Sequence, residues 1–214
     1  MNIGIIGSGA VARALGKGFL SSGHAVKLGS RNPEKLNDWL EEVNNPEASA
    51  GTNSEAAAFG DMLVLATGWD GTKNAIELAG KENMVGKTVI DVTNPLDFSD
   101  GPPPKLAVRY PASGGELVQE WMPGANVVKA FNTIASHTMI NPRMQEGVPD
   151  MFIAGNSAEA KEQVSEIARS WGWENVHDMG DITSSYWLES FAMLWIHFAF
   201  KNNHWTHAFK LLIK

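Results

Sequence analysis

Six consecutive residues, Gly7-Ser8-Gly9-Ala10-Val11-Ala12, have the types and spacing that suit an anion held by backbone amides. Gly7 allows a tight turn out of a strand, and Gly9 lets the backbone come close to a ligand. Ala12 stands where a third glycine is common, small enough for helix and strand to pack closely. A helix that starts here leaves its first N–H groups unpaired, with the positive end of its dipole pointing outward. Ser8, Ala10 and Val11 would supply those amides to a pyrophosphate. A second group, Gly29-Ser30-Arg31-Asn32, follows about twenty residues later. A site for NAD keeps an acidic residue at this place to bond the ribose 2′-hydroxyl. Here no carboxylate occurs before Glu34. Ser30 can donate to a 2′-phosphate, Arg31 can grip it with a charged fork, and Lys35 adds a second cation. The pattern therefore points to NADP(H).

These groups need elements to hold them. Ile3-Gly4-Ile5-Ile6 is a short apolar run of the kind buried on both faces of a parallel sheet, and a helical pattern follows over 10–21. Further strands are expected at 25–28, 47–51, 62–66, 88–92 and 127–131, with helices at 33–43, 53–59 (capped by Asn53 or Ser54), 70–79 and 115–121. Residues 93–112, with Gly101-Pro102-Pro103-Pro104, read as a long irregular segment, since three prolines fit neither a helix interior nor a central strand. Beyond it come strands at 151–154 and 176–178 and helices at 157–171, 183–200 and 205–212. Strands alternating with helices predict an α/β fold: a doubly wound, mostly parallel sheet of the Rossmann type with a small C-terminal helical lobe. The division expected is 1–134 for the NADP-binding domain and 135–214 for the smaller lobe, which would carry the acceptor site and dimer contacts.

In such a sheet the ligand lies outside the carboxyl ends of the strands. Those ends are Thr67-Gly68-Trp69, Thr93-Asn94-Pro95 and Phe131-Asn132-Thr133. They hold no Ser-His-Asp set, no paired carboxylates and no metal cluster, so no catalytic residue is assigned and no metal is expected. Hydride transfer asks little of the protein beyond apposition and dryness. Missing acid–base groups fit a flat redox acceptor better than a carbonyl. His137 is the nearest histidine to the strand ends and reads as a surface or cap residue.

The bulk numbers agree. The 214 residues carry a net charge of −7 and no cysteine. The charge argues against nucleic acid, and the missing thiols remove disulfides and cysteine metal sites together. No signal peptide is read at the N-terminus, and the apolar stretch 186–200 is too short to span a bilayer. A soluble, cytoplasmic protein with a small-molecule redox acceptor as partner is expected.

Gly7-Ser8-Gly9, Gly29-Ser30-Arg31-Asn32-Pro33, Asp91-Val92-Thr93-Asn94-Pro95 and Val128-Lys129-Ala130-Phe131-Asn132-Thr133, taken in order, resemble the F420-dependent NADP oxidoreductases. The same run resembles the N-terminal cytosolic domain of the six-transmembrane metalloreductases. Ala154-Gly155-Asn156, Asp178-Met179-Gly180 and Leu188-Glu189 carry the likeness into the tail. The resemblance implies NADP(H) on the glycine turn and a 2′-phosphate on Ser30, Arg31 and Lys35. It also implies nicotinamide near Asn94, Pro95, Ala130, Phe131 and Asn132, coenzyme F420 or a flavin as acceptor, and a homodimer. Two other functions compete: an NADP(H)-binding redox module or sensor without turnover, and a reductase of small imines or carbonyls.

Overall fold

The computed structural model describes residues 1–213. In chain order the elements are β1 (Asn2–Ile6), α1 (Ala10–Ser21), β2 (Ala25–Gly29), α2 (Asn37–Val43), β3 (Ala48–Gly51), α3 (Asn53–Phe59), β4 (Met62–Leu65), α4 (Trp69–Ala79) and β5 (Thr88–Asp91). There follow β6 (Leu96–Asp97), β7 (Lys105–Leu106), α5 (Gly114–Trp121), β8 (Asn126–Lys129), β9 (Met151–Gly155), α6 (Ala158–Ser170), β10 (Val176–Asp178) and α7 (Ser185–Asn202).

Eight strands form one sheet in the order β10-β9-β8-β5-β4-β1-β2-β3. Every neighbouring pair is parallel except β8 with β9. The chain runs outward from β1 through β2 and β3, then returns to its other side for β4, β5 and β8. The crevice at that reversal, beside the carboxyl end of β1, is where a doubly wound sheet takes its ligand. The expected fold class is thus the observed one. Residues after 134 contribute α6 and α7, and their strands β9 and β10 extend the same sheet.

Continuous apolar runs make the central strands because both faces are covered. One face packs Ile3, Ile5, Phe19, Trp39 and Trp171 into a single core, and the other packs Ile6, Leu63, Leu65, Ile76 and Val118. The Phe19 and Trp171 rings meet edge to face at 4.8 Å, so α6 and α1 share a core.

Four details differ from the sequence expectation, the first being that the helix expected at 33–43 opens as a 3-10 turn over Pro33–Leu36 before α2. The cap of α3 is Thr52, one residue earlier than expected. Its Oγ1 accepts from Glu55 N at 3.2 Å while Glu55 Oε2 accepts from Thr52 N at 2.7 Å, a reciprocal box that Asn53 and Ser54 cannot make. The irregular segment contains a small hairpin, with Leu96 opposite Leu106 and Asp97 opposite Lys105, and the three prolines sit in its loop. The final helix expected at 205–212 does not form. Asn203 closes α7 in the left-handed conformation, and the chain then doubles back. Trp195 Nε1 donates to the His207 carbonyl at 2.8 Å, Asp150 N to the Phe209 carbonyl at 3.1 Å, and Leu211 N to Asp150 Oδ2 at 3.0 Å. Backbone groups engaged this way are not available to an i→i+4 ladder.

Candidate functional site

The glycine turn leaves β1 with Gly7 at φ +136°, and a Cβ there would lie 2.1 Å from the Ala66 carbonyl oxygen. Only glycine fits. Gly9 is different: nothing lies within 4 Å of the place its Cβ would take, so the space in front of it is open. Gly9 caps α1 without a side-chain hydrogen bond, and Gly68 does the same for α4. By contrast α3, α5 and α6 are each capped by a hydroxyl, from Thr52, Ser113 and Ser157. α2 and α7 also lack a side-chain cap but line neither cavity of the crevice, whereas the uncapped N-termini of α1 and α4 border it.

Two adjoining cavities fill that crevice, of about 300 and 570 Å³, and Gly9, Arg31, Ala66, Thr67, Gly68 and Gly71 line both. The first also takes Gly7, Ser8, Ser30, Lys35 and Asn53. Its lining holds two cations, Arg31 and Lys35, and no aspartate or glutamate, in a chain with 24 acidic residues. Ser30 is nearly buried, and its Oγ accepts from Asn32 N at 3.1 Å, which leaves its proton free to donate. The second cavity takes Ala10, Val11, Trp69, Val92, Thr93, Asn94, Leu96 and Phe98, a more apolar set apart from one carboxylate, Asp70 in the first turn of α4. Thr67 Oγ1 is held by Thr72 Oγ1 at 2.9 Å, and Trp69 packs on Trp121 at 5.6 Å between ring centres.

Asn132, Pro95, Ala130 and Phe131, also expected at the site, lie behind this surface, and Asn94 on the wall of the second cavity is held from there. Asn94 Nδ2 donates to the Asn132 carbonyl at 2.8 Å, and Asn132 Nδ2 donates to Asn94 Oδ1 at 3.0 Å and to the Leu188 carbonyl at 3.1 Å. The pair ties the ends of β5 and β8 to α7. Pro95, Ala130 and Phe131 are buried and border neither cavity. The Phe131 ring is 5.5 Å from Trp171 and 6.3 Å from Trp173, and its φ of +59° turns the chain at the strand end. His137 is exposed and borders neither cavity.

Two supports were not legible in the sequence. Arg13, one turn into α1, donates from Nε to the Ser8 carbonyl at 3.2 Å and from Nη2 to the Lys35 carbonyl at 2.9 Å. Its fork also pairs with both oxygens of Asp38, at 2.7 and 3.0 Å, and the hydrogen bond holds the Asp38 carboxyl below its usual range. Arg13 thereby locks the glycine turn to the Arg31–Lys35 segment. The second is a buried charge cluster beneath the second cavity. Lys129 Nζ lies 2.7 Å from Asp91 Oδ2 and 3.1 Å from Glu189 Oε1, and donates to the Thr93 carbonyl at 2.8 Å. Glu189 also accepts from Gly114 N and Gly115 N at 2.8 and 2.9 Å, and Asp91 Oδ1 from Thr93 N and Oγ1 at 2.9 and 2.7 Å. Burial pulls the Lys129 amine down, but the charges of Asp91 and Glu189 and their hydrogen bonds win, and it stands above its usual value.

Residues 2–95 match the sequence pattern of the family described as NADP oxidoreductase, coenzyme F420-dependent. The crystal structure of a candidate F420-dependent NADP reductase from Arthrobacter sp. FB24 superposes with a TM-score of 0.94, at 34% identity, over 100% of both chains. The chain belongs to the F420-dependent NADP oxidoreductase family. Within it, the F420-dependent NADP reductase of Methanocaldococcus jannaschii is 26% identical over 187 residues, 83% of this chain and 82% of that protein. Metalloreductase STEAP3 of Rattus norvegicus is 30% identical over 192 residues, 89% of this chain. The chain spans 36% of that metalloreductase's length. Among the described residues, no helix of this family member is long and apolar enough to cross a membrane.

Proposed function

We propose that this protein binds NADP(H) across the two cavities and exchanges hydride with a planar redox acceptor of the deazaflavin type, such as coenzyme F420. The observation that carries the reading is the first cavity, which gathers Arg31, Lys35 and the Ser30 hydroxyl with no carboxylate in a protein of net charge −7. A site built for a 2′-hydroxyl would hold an acid there. The group itself supplies a hydride when bound.

The chain's residues do the rest. Ala10 and Val11 present first-turn amides of α1, Ser8 adds the amide of the turn before it, and Gly9 leaves room for a pyrophosphate in front of them. Ser30, Arg31 and Lys35 hold the 2′-phosphate. Thr67, Gly68 and Trp69 form the far wall with the free end of α4. Asn94, clamped to Asn132, fixes the floor of the second cavity, with Pro95, Ala130 and Phe131 shaping it from behind. Trp69 and Phe98 offer aromatic faces to a flat acceptor. Neither cavity is lined by histidine, so no imidazole is placed to move a proton.

We assign the dimer contact to residues 135–213; within one copy no residue after Phe98 lines either cavity, so this lobe reaches the acceptor side only across such a contact. Trp187, Leu194 and Phe198 are 62, 54 and 43% exposed along one face of α7, the kind of patch that a second copy of the chain covers.

The test is binding of NADPH and NADH followed by tryptophan fluorescence, then turnover with F420, FMN and FAD. Arg31→Ala should weaken NADPH about tenfold or more and leave NADH nearly unchanged. Equal losses for both would refute the 2′-phosphate assignment. NADPH oxidation by F420 supports the acceptor; turnover with none of the three overturns it.

A further inference from the structure

Asn53 is the first residue of α3, and the protein's own bonding gives no reason for an amide there. The N-terminus of α3 is already capped by Thr52. The Asn53 residue is only 5% exposed, and its Oδ1 is sealed from solvent without a hydrogen-bond partner among the described residues. An apolar side chain would pack at this place without an orphaned acceptor.

The surroundings explain the position. Gly29 ends β2, and a Cβ on it would lie 2.9 Å from Asn53 Oδ1 and 3.0 Å from Asn53 Cα. The missing side chain at Gly29 lets α3 close onto β2 and sets the amide beside Ser30. Oδ1 faces Gly29, so Nδ2 is the branch of the amide left to meet the first cavity, which Asn53 lines together with Ser30, Arg31 and Lys35. A neutral donor among two cations and a hydroxyl, with no acid present, suits a phosphate monoester.

We propose that Asn53 is a further specificity residue for the cofactor, donating from Nδ2 to the 2′-phosphate. The inference rests on the NADP(H) reading above and adds a contact from the third strand–helix connection to a grip otherwise made by the segment after β2. It also gives Gly29 a role of its own: it admits the amide.

The experiment measures dissociation constants of NADPH and NADH on the purified full chain by tryptophan fluorescence, with thermal melts as a check on folding. Asn53→Ala should weaken NADPH about tenfold and NADH little, because one hydrogen bond to a charged group is lost. Asn53→Asp sets a carboxylate against the phosphate. It should weaken NADPH more than Asn53→Ala does, and it should hold or improve NADH, whose 2′-hydroxyl can donate to it. Equal losses for both nucleotides in Asn53→Ala, or none, overturn the proposal. So does an Asn53→Asp variant whose NADPH-to-NADH preference stays that of the unmutated chain. Arg31→Ala is measured alongside. If it shifts the preference and the Asn53 variants do not, only the Asn53 contact fails; if neither does, the NADP(H) reading fails with it.

Discussion

Replacing Lys129 by methionine keeps the length of the side chain and removes its charge. The ammonium is fully buried and touches two carboxylates and a carbonyl. Without it Glu189 keeps its two backbone donors at the start of α5, and Asp91 Oδ1 keeps Thr93. Asp91 Oδ2 keeps nothing. Breaking one side of a buried ion pair costs about 3–5 kcal/mol, against a typical total of about 5–15 kcal/mol. With an m-value of about 2 kcal/mol/M the urea midpoint should fall by about 2 M, with the slope unchanged. Adding Asp91→Asn to Lys129→Met should recover part of the loss, because the uncompensated charge is gone. The pH dependence has a definite sign. The amine is held above its ordinary value in the folded protein. Its contribution is therefore complete below about pH 10.4 and is lost as pH rises through the higher folded value. Urea melts at pH 7 and at strongly alkaline pH test both points. A loss under about 1 kcal/mol at pH 7, or no recovery in the double variant, would show that the three groups do not act as a charged unit.

Further outcomes follow from the glycine turn and the C-terminal strap. Gly9→Ala should change stability by no more than about 0.5 kcal/mol, since its Cβ enters open space, and should weaken NADPH by filling the approach to the amides. Gly7→Ala should cost several times more, because its Cβ would strike the Ala66 carbonyl at a φ that L-residues avoid. Urea melts and nucleotide titrations separate the two. Asp150 is nearly buried, and burial raises its pKa, but hydrogen bonds from His177, Asn175 and Leu211 N–H hold it below its usual value. The hold it gives the strap should persist above about pH 4 and fail as pH falls below that. Limited proteolysis after residue 200 across that range reads the release, and Asp150→Asn should show it at neutral pH.

What was legible in the sequence lies close together along the chain. Gly7 makes the tight turn its spacing suggested, and Gly9 has open space where a Cβ would stand. Ser30, Arg31 and Lys35 line one cavity with them, since a strand end and the turn after it travel as a unit. The clamp between Asn94 and Asn132 brings together two strand ends that the alternation of elements had placed side by side. What escaped depends on partners far apart. Arg13 reads as an ordinary helix-surface arginine until α2 brings Asp38 to it. Glu189 reads as a stray charge in an apolar helix until Gly114, Gly115 and Lys129 surround it. Asparagine and serine favour cap positions, which points to Asn53 or Ser54, but the Thr52–Glu55 box takes the end of α3 instead. The helix expected at 205–212 had a plausible apolar pattern. Asp150, Trp195 and Phe191 took its backbone and rings: Phe209 packs 4.6 Å from Phe191, and His207 stacks 4.4 Å from Trp195.

The buried cluster also orders events in time. Lys129 reaches its second carboxylate only when Glu189 has been made, 60 residues later in the chain. At about 5–20 residues per second that is a wait of roughly 3–12 s. Until then the nascent protein can pair β1 through β8, but it must keep the ends of β5 and β8 wet or leave a charge half answered. The floor of the second cavity is therefore among the last parts of the molecule to set.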